Sequence, residues 1–262
     1  MIEKKMIKKR LLTCSVILVL SIIFQLSFGT IHTRKTPQNN QRNYSFILCK
    51  SDRPAGLNFA NEALPLGDKK VKVKMRHSLK SHSFGNVQTD LLHRKAEAWF
   101  PVIEPILKAN GIPDDFKFIP LVEAGFSEGR SPRGAYGPWQ FMPGTARTYG
   151  LKVNGKHDER LDIRKSTIAA CKYLKELHGE FKSWAMVAAA YNTGSPNLAH
   201  LVRDQKQKNY FKIKMNRETG AYVYSLVAMK EIINHPADYG YSYQKPVLAM
   251  IAQRDADKLS FD

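Results

Sequence analysis

The sequence lacks several features that define common protein classes. Its 262 residues include only three cysteines, which excludes a disulfide-dense domain and a zinc site with four cysteine ligands. The eight histidines show no spacing typical of metal ligands, and no glycine-rich phosphate loop or cofactor motif occurs. No repeat with a period of about 20–50 residues is found, which excludes a solenoid or a propeller. We therefore expect a protein that uses no metal and no cofactor.

Acidic residues are scarce beside basic ones. The 41 lysines and arginines outnumber the 23 aspartates and glutamates, and the formal net charge is +18. Residues 1–10 hold five basic residues and one acidic residue, so the chain beyond them keeps +14. This charge favours a polyanionic partner: nucleic acid, an anionic membrane surface or an acidic cell-wall polymer. Hydrophobic residues, at 43%, suffice for a folded core.

The first 29 residues have the composition of an export signal. A basic segment, 1–10, precedes an uncharged apolar run, 11–28, and the small residues Ser27 and Gly29 suit cleavage after Gly29. The apolar run is also long enough to span a bilayer, so an uncleaved N-terminal membrane anchor is the alternative. In either case we expect the rest of the chain in the periplasm or at the cell envelope. Export argues against nucleic acid as a partner and favours a wall polymer.

Residues 30–87 are predicted to form a linker and a basic extension. Residues 30–45 are polar and aperiodic, which is typical of a linker. Within the extension, residues 69–76 alternate basic and apolar side chains, which indicates an exposed strand or, alternatively, a solvated basic stretch. Cys49 could pair with Cys171 after export, but we favour Cys171 as a small buried residue on a helix.

From residue 88 the hydrophobic pattern is helical. It predicts an all-α domain over 88–240, followed by a C-terminal tail, 241–262. The predicted helices lie within 91–110, 112–124, 138–149, 166–177, 184–191 and 218–233. Pro101 should break the first of them, and Ser166 and Ser183 should cap two others.

Glu123 is the candidate catalytic residue. It lies at the predicted C-terminal end of a helix, among apolar residues and just before a glycine loop. The negative end of the helix dipole and the apolar neighbours both favour the protonated carboxyl. A glutamic acid that is protonated at neutral pH can act as the general acid in cleavage of a glycosidic bond. The alternative is an ordinary surface glutamate at a frayed helix end.

Four ordered motifs include Glu123. They are Glu123-Ala124-Gly125-Phe126, Gly137-Pro138-Trp139-Gln140, Ala190-Tyr191-Asn192 and Glu218-Thr219-Gly220-Ala221-Tyr222-Val223. In this order they resemble the soluble-type lytic transglycosylases, which cleave peptidoglycan. The segments Trp139-Gln140-Phe141-Met142 and Asp158-Glu159-Arg160 resemble the membrane-bound branch of that family. The resemblance covers roughly residues 90–240.

The resemblance implies a lysozyme-like helical fold and one acidic catalytic residue. Glu123 would protonate the oxygen between N-acetylmuramic acid and N-acetylglucosamine and then take the proton of the muramoyl 6-hydroxyl, which leaves a 1,6-anhydro end. Ser131, Gln140, Tyr191 and Asn192 would orient the acetamido group and the hydroxyls of the sugars. Glu128, the other acid of the loop, is not marked as a catalytic partner.

Each aromatic residue of the motifs has two possible roles, one in the site and one in the core. Tyr191 and Tyr222 would hydrogen-bond Glu123 and fix its rotamer, although each could instead be a core aromatic residue. Trp139 would line the cleft against a sugar face, or pack in the core. Two residues depart from the family pattern: Ala124 replaces a serine that helps to orient the loop, and Pro138 replaces a leucine.

Two other functions fit the same sequence. A muramidase would cleave the same bond with water and leave a reducing end. A catalytically impaired peptidoglycan-binding protein, with Ala124 as the sign of lost activity, would hold glycan strands through its basic surface. We expect the lytic transglycosylase, with glycan strands of peptidoglycan as its partner and membrane association only through the N-terminal segment.

Overall fold

The computed structural model describes residues 56–87, 90–125 and 129–241. The predicted signal or anchor, the linker, Cys49 and the tail from residue 242 lie outside this part of the chain. The described residues form a short hairpin and nine α-helices, together with three 3-10 helices, of which two lie between α-helices and one follows the last. The strands are β1 (Asn58–Phe59) and β2 (Glu62–Ala63), and the helices are α1 (Lys69–His82), α2 (Phe84–Val87), α3 (Leu91–Ala109), α4 (Ile119–Ala124), α5 (Pro143–Thr148), α6 (Ile163–Phe181), α7 (Trp184–Thr193), α8 (Ser195–Gln205) and α9 (Thr219–Asn234).

The predicted all-α, lysozyme-like architecture is confirmed for the described residues. Helix α7 lies at its centre, where Ala185–Ala190 are buried between α6, α8 and α9. Small side chains let these helices approach closely. Cys171 is fully buried on α6 and is a free cysteine, as a small core residue should be. No helix of the described residues has both the length and the hydropathy of a membrane span.

Of the two interpretations of residues 69–76, the exposed strand is wrong, because these residues belong to helix α1, whereas their basic side chains are exposed to solvent as the other interpretation requires. Asp68 caps this helix by accepting hydrogen bonds from the backbone N–H groups of Lys70 and Val71, at 2.7 and 3.2 Å. The buried side chains recur with helical spacing, at Val71, Met75, Ser78 and Leu79, and they face α9. The alternation of period two over 69–76 is therefore local, and the spacing of four that continues to Leu79 decides the structure.

The hairpin before α1 also belongs to the core. Phe59 and Leu64 are buried, and the Glu62 carboxylate binds the start of α7. Its oxygens accept hydrogen bonds from Ser183 Oγ at 2.8 Å and from the backbone N–H of Trp184 at 2.5 Å. Residues 56–87 thus share one hydrophobic core with the helices that follow.

Helix α3 is continuous through Pro101 and Pro105, so the predicted break at Pro101 is wrong. Both prolines lie on the exposed side of the helix, where water can reach the carbonyl groups that lose their N–H partner. The opposite side buries Leu92, Ile103 and Leu107. Burial of three leucine-sized side chains contributes several kcal/mol, roughly 1.5–3 for each, which offsets the cost of the prolines.

Four other predicted boundaries can be compared with the structure. Ser183 caps α7, as predicted, and α9 ends at His235. Helix α6 begins earlier than predicted, because Asp162 is its cap, and Ser166 is buried inside it. The helix predicted over 138–149 is reduced to α5, since Gly137 and Gln140 have φ values of +79° and +45° that no helix accommodates.

Candidate active site

Glu123 meets Tyr222 where the end of α4 faces the first turns of α9. The Tyr222 hydroxyl donates a hydrogen bond of 2.5 Å to Oε1 of Glu123. Helix α4 ends at Gly125, where a Cβ atom would lie 2.4 Å from Cδ2 of Leu92 on α3. Glycine at this position therefore allows the close approach of α4 to α3 that places Glu123. The predicted hydrogen bond between Tyr222 and Glu123 is present.

The surroundings of Glu123 favour its neutral form. Burial raises the pKa of the carboxyl above its usual value of 4.5, and the nearby charge of Glu218 raises it further, whereas the hydrogen bond from Tyr222 lowers it. The net direction is upward. Burial and the negative charge of Glu123 also raise the pKa of Tyr222 well above 10, so its hydroxyl remains a donor at neutral pH.

Glu218 joins the site through Asn192, a residue predicted to bind the sugar. Nδ2 of Asn192 donates to Oε1 of Glu218 at 3.0 Å, and its Oδ1 accepts from Oγ1 of Thr219 at 2.9 Å. These bonds connect the end of α7 to the start of α9, one turn before Tyr222. Reasoning from the sequence assigned no role to Glu218 or Thr219, although both lie in the fourth motif.

Tyr191 has a different partner from the one predicted. Its hydroxyl donates to the backbone carbonyl oxygen of Trp139 at 2.7 Å, so the structure contradicts a hydrogen bond from Tyr191 to Glu123. The charge of Glu123 nonetheless acts on it, since burial and that charge raise the pKa of Tyr191 well above 10. Tyr191 therefore holds the neighbouring loop through the carbonyl oxygen of Trp139.

Trp139 does not line the cleft, and the prediction of a sugar contact for its ring is wrong. The side chain is 0% exposed, and its Nε1 donates to Oγ1 of Thr167 on α6 at 2.9 Å. A tryptophan with its N–H bonded inside the core can be fully buried at little cost. The ring anchors the loop to α6, and the backbone carbonyl oxygen of Trp139 accepts the hydrogen bond from the Tyr191 hydroxyl.

Residues 101–214 match the family model described as the transglycosylase SLT domain. This part of the chain is a transglycosylase SLT domain. The match includes Glu123, Tyr191 and Asn192. Outside it, the described structure adds residues 56–87 and 90–100, which complete the core, and α9, which supplies Tyr222.

The chain is also similar in sequence to individual proteins. The chain is 30% identical over 152 residues to the membrane-bound lytic murein transglycosylase D of Escherichia coli strain K12, and the same values hold for the protein of that name from strain CFT073. The match covers 56% of this chain and 34% of each relative. A putative tributyltin chloride resistance protein of Alteromonas sp. strain M-1 is 28% identical over 116 residues, which cover 44% of this chain and 56% of that protein. The chain thus spans about a third of the length of the first two relatives.

The Arg160 side chain holds the loop between α4 and α5 in place. This side chain is 0% exposed, and its Nη1 donates to the carbonyl oxygens of Gly134 and Phe141, each at 2.8 Å. Its Nε and Nη2 bind the two oxygens of Asp158 at 2.8 and 2.7 Å, which satisfies the buried charge. Gly137 packs directly against the Arg160 backbone, and a Cβ there would lie 2.0 Å from the carbonyl oxygen.

Ser131 and Gln140, both predicted to bind the sugar, lie in this loop and are half-buried. Ser131 Oγ accepts the backbone N–H of Ala135 at 2.9 Å, and Gln140 Nε2 donates to the Gly137 carbonyl oxygen at 2.9 Å. Each keeps hydrogen-bonding capacity beyond these contacts, since the serine hydroxyl can still donate and the glutamine oxygen can still accept. No hydrogen bond among the described residues joins either one to Glu123. Phe126 and Glu128 lie outside the described residues.

Proposed function

We propose that this protein is a lytic transglycosylase that cleaves the β-1,4 bond between N-acetylmuramic acid and N-acetylglucosamine in peptidoglycan. One observation carries the proposal: a partly buried glutamic acid, Glu123, with a raised pKa and a hydrogen bond from Tyr222. The SLT domain and the name of the Escherichia coli relative support the same activity. In the cell, the proposed role of this activity is to remodel the peptidoglycan wall.

The reaction needs one group that acts first as an acid and then as a base. Neutral Glu123 gives its proton to the glycosidic oxygen while the bond from that oxygen to C1 of the muramoyl residue breaks. The acetamido group of the substrate stabilises the positive charge at C1. The muramoyl 6-oxygen then bonds to C1, and its proton goes to the Glu123 carboxylate. Atoms balance without water, and the enzyme returns to its starting state.

Hydrogen-bonding groups around Glu123 suit a neutral, polyhydroxylated substrate. In this proposal Asn192, Gln140 and Ser131 orient the sugars with the donors and acceptors that their internal bonds leave available. Tyr191 is a positioning residue, which acts through the backbone of Trp139. Tyr222 orients the carboxyl and stabilises its charged form after proton transfer.

Mass spectrometry of peptidoglycan digests tests the proposal. The full chain should release fragments that are one water lighter than hydrolytic products, and Glu123→Gln should release none, a loss of at least about 100-fold. Fragments with reducing ends would instead identify a hydrolytic muramidase. Binding of peptidoglycan without any release by the parent protein would identify a wall-binding protein whose activity is impaired.

The stability of Glu123→Gln serves as the control for folding. Because the folded state raises the pKa of Glu123, the stabilisation of its neutral form is present below the usual pKa of glutamate and is lost as the pH rises through the folded-state value. Glutamine stays neutral and can still accept from Tyr222. The variant should therefore be at least as stable as the parent near pH 7, with a smaller difference near pH 4. A variant that is less stable at pH 7 would contradict the raised pKa.

The cellular location follows from the same proposal. Peptidoglycan lies outside the cytoplasmic membrane, and residues 1–29 have the composition of a signal or an anchor. We propose export to the periplasm or the cell envelope, with membrane attachment if the apolar run 11–28 is retained. Mass spectrometry of the mature N-terminus from envelope fractions tests this, since a terminus at residue 30 indicates cleavage and a longer one indicates an anchor.

A further inference from the structure

Helix α1 presents a face of uniform positive charge. Its 14 residues include six lysines and arginines and no acidic residue. The six are Lys69, Lys70, Lys72, Lys74, Arg76 and Lys80, and all are exposed. Among the described residues, none of the six forms a salt bridge with a carboxylate. Like charges on one helix repel one another, so this composition disfavours the isolated helix and leaves the face open to an anionic partner.

One residue of the basic face, Lys74, contacts the turn of α9 that carries part of the candidate site. Nζ of Lys74 donates to the carbonyl oxygen of Gly220 at 3.2 Å and lies 5.6 Å from the centre of the Tyr224 ring. Gly220 is in the first turn of α9, between Glu218, which binds Asn192, and Tyr222, which binds Glu123. A polymer held at Glu123 would therefore pass close to α1.

A second basic segment reaches the same turn of α9. Lys212, Lys214 and Arg217 are exposed in the connection from α8 to α9. Met215, in the middle of this segment, and Nζ of Lys74 both lie near Gly220, at 3.9 and 3.7 Å from the position that a Cβ would take. Positive charge from two separate parts of the sequence is thus gathered at this edge of the site.

We propose that the exposed cations of α1 bind the carboxylates of the stem peptides of peptidoglycan. This inference rests on the proposed function. The hydroxyl and acetamido groups of the glycan carry no charge, whereas the stem peptides branch from its muramoyl residues and bear free carboxylates. They are the anionic groups that a glycan strand in the cleft would bring to α1. Exposed ion pairs are individually weak, so binding requires several of them together.

The test measures binding to immobilised glycan strands with and without stem peptides. All proteins carry Glu123→Gln, so binding is measured without cleavage and does not depend on the proposed activity. One variant replaces Lys70, Lys72, Arg76 and Lys80 by glutamine, which keeps helix propensity. The matched control replaces Lys108, Arg164, Lys172 and Lys182, four exposed cations on α3, on α6 and after α6, and so removes the same net charge.

The α1 variant should bind strands with stem peptides roughly tenfold more weakly than the control, because four exposed ion pairs are lost. On strands without stem peptides the two should bind equally. High salt should remove the difference, since it screens exposed charges. Equal binding by both variants to complete strands would overturn the proposal, as would an equal loss on strands without stem peptides. A loss confined to anionic phospholipid vesicles, compared with uncharged ones, would assign α1 to the membrane instead.

Discussion

The Tyr222 hydroxyl donates a hydrogen bond of 2.5 Å to Oε1 of Glu123, across 99 positions of sequence. The bond joins the last turn of α4 to the first turns of α9, and the tyrosine is buried while the carboxyl is partly exposed. It opposes the effect of burial on the pKa of Glu123, because a donor stabilises the carboxylate. The strength of the acid is thus set by opposing influences: burial and the charge of Glu218 raise the pKa, and the hydrogen bond from Tyr222 lowers it.

Removal of the Tyr222 hydroxyl should raise the pKa of Glu123 further. In Tyr222→Phe the carboxylate loses its donor, so the neutral form is favoured to higher pH. The alkaline limb of the pH–activity profile should move to higher pH, and the maximum rate should fall roughly tenfold because the carboxyl loses its orientation. Tyr224→Phe on the same helix is the control, and it should change neither the pH of the alkaline limb nor the maximum rate. A limb that moves to lower pH would contradict this reading.

Neutralisation of Glu218 should have the opposite effect on the acid. Glu218→Gln removes a negative charge that raises the pKa of Glu123, and it keeps the oxygen that accepts from Asn192. The alkaline limb should therefore move to lower pH, and the displacement should shrink as salt is added, since Glu218 is exposed. Asp204→Asn, an exposed change on α8, should leave the profile in place. The prediction fails if Glu218→Gln raises the pH of the limb.

Two glycines of the loop between α4 and α5 should respond differently to alanine. Both have positive φ, +79° at Gly137 and +88° at Gly134, so both substitutions carry backbone strain of about 1–2 kcal/mol. At Gly137 the added Cβ would also meet the Arg160 carbonyl oxygen at 2.0 Å, whereas at Gly134 it meets nothing within 4 Å. Gly137→Ala should therefore cost about 2 kcal/mol more than Gly134→Ala in denaturant unfolding. Equal costs would show that the loop can move away from Arg160.

The departure at Ala124 can be tested by restoring serine. Ala124 is 5% exposed at the end of α4, and its carbonyl oxygen accepts from Lys95 Nζ at 2.9 Å. A serine hydroxyl there can bond to the carbonyl four residues earlier, so Ala124→Ser should change the free energy of unfolding by less than about 1 kcal/mol. We expect a larger relative change in the rate of glycan release. An unchanged rate with a large stability change would contradict the loop-orienting role.

Local features of the sequence determined much of this protein. Apolar residues at helical spacing placed most of the helices from residue 91 onward, and Ser183 marked the start of α7 correctly because a capping bond depends on neighbouring residues. The resemblance of the ordered motifs led to the prediction of a hydrogen bond between Tyr222 and Glu123, which the structure contains. The alternation over 69–76 does not predict helix α1, because the spacing of four becomes visible only when the segment is extended to Leu79. Pro101 does not divide α3, because the side of the helix that faces water is known only from the fold.

Only the tertiary structure decided which residues meet. The sequence alone allowed Trp139 either to line the cleft or to pack in the core. In the structure its Nε1 donates to Thr167 on α6, so the ring packs in the core. Sequence also paired Tyr191 with Glu123, whereas the fold directs its hydroxyl to the backbone of Trp139. The role of Glu218 emerges from its contact with Asn192, 26 positions away. Hydrogen bonds and charge effects act over a few ångströms, and the approach of α7, α9 and the loop is set by packing of the whole core.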